Sequence, residues 1–171
     1  MVADPIADPK GYQRELLALL GDQDPAEVMA ATPAVIRDRT MGVSEELLHL
    51  RPEPGEWSVA ELVGHLWDGE IAYSFRSRLI LAQAEPELIG YDQDAWAGLP
   101  RPSVHELIDS YVALRAANLA MVRRTPVALR DRVGVHSERG RMSFTLLTQE
   151  IAGHDIAHRK QLEQTLALVL A

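Results

Sequence analysis

Leu147-Thr148-Gln149-Glu150-Ile151-Ala152-Gly153-His154-Asp155-Ile156-Ala157-His158-Arg159-Lys160-Gln161-Leu162 places Leu147, Ile151, His154, His158 and Leu162 at successive steps of 4, 3, 4 and 4. On an α-helix those steps stack side chains along one face. It is the face that a bundle helix buries, so both histidines are expected to point inward. Ser143 is a candidate N-cap for this helix, which is predicted from about Phe144 to Leu170.

The upstream segments carry the same helical signature. Ser58-Val59-Ala60-Glu61 and Ser103-Val104-His105-Glu106 are capping boxes. The first opens a helix predicted to end near Ala84, before Pro86, and the second a helix ending before Pro126. Asp24-Pro25-Ala26-Glu27 predicts a brief helical turn, and Thr32-Pro33 the start of a longer helix through about Leu48, stopped by Pro52 and Pro54-Gly55. Lys10 to Leu20, closed by Gly21, predicts a short leading helix. Pro86 to Pro102 reads as an ordered loop, and Asp131 to Met142 as either a hairpin or an irregular crossing. The expected fold is all-α: a four-helix bundle with a short extra N-terminal helix and long inter-helix loops. Residues 1–23 are expected to form the extension and 24–171 the bundle domain. Loops of this length between bundle helices serve as crossovers or lids.

Composition limits what the chain does. A net charge of −8 argues against a dedicated nucleic-acid binder. No apolar run approaches the roughly 18 residues of a membrane span. Met1-Val2-Ala3-Asp4-Pro5 lacks a signal peptide's basic start, so the cytoplasm is the expected compartment. With no cysteine, a bound metal has to use His, Asp or Glu.

Two inward imidazoles four residues apart need partners for four ring nitrogens. A hydrogen-bonded core pair, with water, is one solution; a shared metal ion is the other. His65 is the only other histidine in the middle of a well-capped amphipathic helix, and Gly69, four residues on, leaves room beside its ring. Three imidazoles would leave coordination positions open for water or substrate, the arrangement of a catalytic ion. Zinc, nickel, copper and iron all suit imidazole. Asp68, Glu70, Asp155 and Gln161 are candidates to orient such ligands, and are otherwise expected to be solvated. His49, His105 and His136 are expected at the surface, with His136 best placed to approach the site. Tyr91 to Trp96 and the segment bearing Arg130, Arg132, Arg139 and Arg141 are candidate rims, where an arginine could meet a substrate carboxylate. No catalytic residue is assigned from the pattern.

Pro54-Gly55-Glu56-Trp57-Ser58, Glu61 and His65-Leu66-Trp67-Asp68-Gly69-Glu70 resemble the opening of the second helix in the DinB-like superfamily of small bacterial four-helix bundles. His154-Asp155-Ile156-Ala157-His158-Arg159-Lys160-Gln161 is similar to that family's last-helix motif. Thr32-Pro33 and Tyr91 to Trp96 add to the resemblance, which runs from about Asp24 to Leu162. It implies a metal triad of His65, His154 and His158, a divalent ion such as zinc or nickel, and a homodimer. It further implies a small-molecule substrate, with a low-molecular-weight thiol as possible cofactor. The implied function is a metal-dependent enzyme, a thiol S-transferase or a hydrolase. A non-catalytic, stress-associated metal- or ligand-binding protein is the alternative.

Overall fold

The computed structural model describes residues 7–171, so the Met1 to Pro5 reading lies outside the described residues. The chain runs α1 (Pro9–Leu20), α2 (Pro25–Thr40), α3 (Glu45–His49), α4 (Val59–Ala82), β1 (Glu87–Leu88), α5 (Gln93–Ala97), α6 (Val104–Arg124), a 3-10 turn (Val127–Leu129), β2 (Val133–His136), β3 (Gly140–Ser143) and α7 (Phe144–Val169). Both capping boxes form. Ser58 Oγ accepts from the Glu61 amide at 3.2 Å while Glu61 accepts from the Ser58 amide at 2.8 Å, and Ser103 pairs with Glu106 in the same way. Ser143 caps α7 through the Leu146 amide. Each such cap contributes about 1 kcal/mol.

Helix α2 departs from the expected pattern. It starts at Pro25, with Asp24 as its cap, and runs without interruption through Pro33. A proline inside a helix strands the carbonyl four residues back. Here that carbonyl is Met29, and it accepts from the buried Arg115 guanidinium at 3.1 Å. The interruption is satisfied from another helix, so the helix survives it. It stops at Thr40 rather than Leu48, because Met41 turns extended and Gly42 adopts φ of 80°. The left-handed conformation at Gly42 favours glycine and ends the helical path. Ser44 then caps the separate short helix α3.

The bundle consists of α2, α4, α6 and α7. Contacts run α2 to α6, α6 to α4, α4 to α7 and α7 back to α2, which leaves α2 opposite α4 and α6 opposite α7. The chain therefore crosses a diagonal twice, once through α3 and once through the β2–β3 hairpin. Of the two uses the long loops allowed, crossover or lid, these connections are crossovers. The Asp131 to Met142 segment resolves as the hairpin, with β1 adding in parallel beside β2. The apolar core lies in two contiguous clusters, one around Met29, Tyr73 and Ile151 and one around Leu62, Ile108 and Leu162.

Helix α1 lies along α7. The approach is so close that a Cβ on Gly153 would stand 2.2 Å from the Leu16 carbonyl oxygen. Among the described residues, no helix is long and apolar enough to cross a membrane.

Candidate metal centre

Helices α4 and α7 pack side by side, and their facing stripes bring His65, His154 and His158 together. One ring nitrogen from each lies within 4.8 Å of the others. The ring centroids are separated by 4.3 to 4.9 Å. His65 and His154 approach through their Nε2 atoms at 2.8 Å. Gly69 lies beside His154 rather than His65: a Cβ there would stand 3.5 Å from the His154 ring, an ordinary contact.

All three rings are held neutral. Burial keeps His65 and His154 well below the usual imidazole value, and repulsion from His158, were both rings protonated, adds to the effect. Burial lowers His158 to about 4. Neutral imidazoles have a lone pair to give. His158 Nδ1 meets the Gln161 side-chain oxygen at 2.9 Å. An acceptor at that distance requires Nδ1 to carry the proton, which leaves Nε2 as the donor atom. The buried Nδ1 of His154 has no partner. The facing Nε2 atoms of His65 and His154 can share only one proton between them, whereas a divalent cation accepts a lone pair from each of the three rings. The residues present fit such an ion.

Of the four residues considered for orienting the ligands, only Gln161 bonds a histidine. The other three are buried rather than solvated, at 4% exposure for Asp68 and 0% for Glu70 and Asp155. Each is neutralised by a guanidinium. Asp68 pairs with Arg101 at 2.5 Å. Glu70 and Asp155 converge on Arg115, which is itself 1% exposed. All five of the Arg115 N–H groups find acceptors: Glu70, the Met29 carbonyl, Tyr111 Oη and both oxygens of Asp155. One side chain thereby ties α2, α4, α6 and α7 together beneath the histidines.

A cavity of about 80 Å³ opens beside the cluster, with His65 and His154 in its wall. His136 also lines it and is 2% exposed, which corrects the expectation of a surface histidine. Its strand pairs on both sides, so the ring is carried inward beneath the hairpin. His49 and His105 are exposed as expected. Of the four hairpin-segment arginines only Arg139 reaches the cavity. Arg130 and Arg132 bond backbone carbonyls, and Arg141 pairs with Glu85 at the surface. Tyr91 lines the cavity with its ring 4.4 Å from Trp96.

Trp57, Arg76 and Glu150 belong to the site without having been singled out in the sequence. Trp57 lies 4.9 Å from the His65 ring and 6.5 Å from that of His158. Arg76 is three helical turns beyond His65, and Glu150 one turn before His154. Both sit on the histidine faces, and those offsets are the signal that identifies them.

Known proteins with which this chain shares sequence and fold carry metal-dependent names. A Bacillus licheniformis protein provisionally named a metal-dependent hydrolase is 32% identical over 87 residues, 51% of this chain and 46% of that protein. YfiT of Bacillus subtilis, named in the same provisional way, is 27% identical over 97 residues, 57% of this chain and 50% of YfiT. The chain thus spans about half the length of these curated relatives. The solved structure of YfiT, described as having an unusual four-helix bundle topology, superposes with a TM-score of 0.75. That match covers 84% of this chain and 86% of YfiT at 20% identity, and so speaks to the fold. The sequence profile of the DinB superfamily matches residues 13–162, and this chain belongs to that superfamily.

Proposed function

We propose that this chain is a metal-dependent hydrolase whose divalent ion is held by His65, His154 and His158. The observation that carries this reading is the convergence of three neutral imidazoles, two of them in the wall of a cavity. An ion with three protein ligands keeps a position for water or substrate, polarises a substrate carbonyl and lowers the pKa of water towards about 7.

The protein's own part is to hold the ligands and to move a proton. Gln161 fixes the His158 tautomer. Trp57 covers the His65 and His158 rings. Asp68, Glu70 and Asp155 are committed to guanidiniums. Glu138 and Glu150 are the carboxylates that line the cavity; Glu150, one turn before His154, is held by Arg139 and Gln13, and burial raises its pKa from the usual value while Arg139 draws it back. A carboxyl shifted towards neutrality is suited to taking a proton from the attacking group and returning it to the leaving group. Glu150 is assigned that role.

A low-molecular-weight thiol in place of water would make the same site an S-transferase. The test is to incubate zinc- or nickel-loaded protein with an activated ester panel, with and without a thiol and an electrophile. Metal-dependent ester hydrolysis, lost in Glu150→Gln with metal content intact, supports the hydrolase. Product only with thiol present turns the assignment to transferase. No turnover in either assay turns it to a binding protein.

A further inference from the structure

The cavity wall that carries His136 and Arg139 holds buried hydrogen-bond donors without acceptors. His136 accepts from the Glu138 amide at 3.2 Å through Nδ1, which places its proton on Nε2. That Nε2 is buried and has no partner. The Nε of Arg139 is likewise buried without a partner. Arg76, 9% exposed, spends one terminal N–H on the Ile89 carbonyl at 2.7 Å. Two carboxylates share this wall, Glu138 and Glu150, and Glu138 is exposed at its edge. Glu150 takes Gln13 on one oxygen and Arg139 on the other. Buried donors left unmatched are costly, and these two, His136 Nε2 and Arg139 Nε, call for a ligand that supplies lone pairs.

The two guanidiniums are also held in place. Arg76 lies over the Tyr91 ring at 5.9 Å, and Arg139 over the Tyr12 ring at 5.8 Å. Both tyrosines keep their protons, since burial pushes each up to about 12. They add no negative charge to that of Glu138 and Glu150, the carboxylates already near the arginines. A planar oxyanion suits paired guanidinium and imidazole donors.

We propose that Arg76, Arg139 and His136 form a subsite for a carboxylate on the substrate, so that the molecule acted on at the histidine cluster is a small carboxylic acid derivative. This rests on the histidine cluster being the reaction centre. The subsite itself is independent of a bound ion.

The test uses the full chain stripped of metal by chelation. Butyrate and its neutral counterpart butyramide are titrated while the Arg76, Arg139 and His136 side-chain resonances are followed by NMR. Butyrate is expected to bind saturably and butyramide at least about 10-fold more weakly, the discrimination of a charge-assisted pair. Arg139→Gln, in the hairpin and half-buried, is expected to weaken butyrate by about 10-fold. Arg76→Lys serves as a second variant that keeps the charge and loses the fork. Equal binding of butyrate and butyramide, or butyrate affinity unchanged in both variants, overturns the proposal. Metal content is measured alongside. Butyrate binding in a chain that takes up no metal sustains the subsite and removes the hydrolase. Metal uptake with no butyrate selectivity sustains the hydrolase and removes the subsite.

Discussion

Arg115 of α6 and Asp155 of α7 are joined across the diagonal of the bundle, one residue from His154. The pair fixes the roll of α7 about its axis: with Asp155 held inward on Arg115, His154 and His158 face α4. Arg115 also compensates Glu70, so two buried carboxylates depend on one cation. Arg115→Met leaves both without a counter-ion. We predict a loss of about 3–5 kcal/mol in urea unfolding. Arg115→Lys rescues little of it, since an ammonium has three donors where five are used.

The approach of α1 to α7 rests on Gly153. A methyl group there meets the Leu16 carbonyl, which is backbone and cannot rotate away. Gly153→Ala is predicted to undock α1 at a cost of about 1–3 kcal/mol, read as new protease cleavage within Pro9–Leu20. Undocking also removes Tyr12 and Leu16 from the cavity wall and Gln13 from Glu150. Unchanged protease resistance would refute this account of the contact.

Gln161 holds His158 by its Nδ1 proton. Gln161→Leu removes that partner while keeping the helix. We predict that zinc affinity falls about 10- to 100-fold with little change in Tm of the metal-free protein. Trp57, against two of the three rings, gives a fluorescence readout of the titration.

Metal-free protein should lose stability on acidification. Burial depresses His65, His154, His158 and His136 in the folded chain, the last two to about 4. The unfolded chain takes up protons near pH 6.5, where the folded rings remain neutral. The stabilisation is thus complete above about pH 6.5 and is lost as pH falls towards about 4. The urea midpoint should fall steadily across that window. A midpoint flat from pH 7 to 4.5 contradicts the neutral, buried state of these rings.

Much of this arrangement was legible because it follows from helical periodicity. The 4-3-4-4 stripe through His154 and His158 and the two capping boxes are local signals. What escaped was set by partners distant in sequence. Pro33 reads as a helix start until Arg115 supplies the donor for Met29. Asp68, Glu70 and Asp155 read as solvated until their arginines arrive from α6 and the loop before it. His136 reads as a loop residue until strand pairing turns its ring under the hairpin. Periodicity reports which face a residue occupies, and it is silent about what the opposite element brings.

The most direct test is metal content in protein purified without a histidine tag, compared for the wild type, His65→Ala and His158→Ala. About one divalent ion per chain in the wild type, lost in both variants with the helical circular dichroism retained, is the predicted result. Metal held undiminished by both variants, or none bound by the wild type in excess zinc or nickel, would contradict the three-histidine centre.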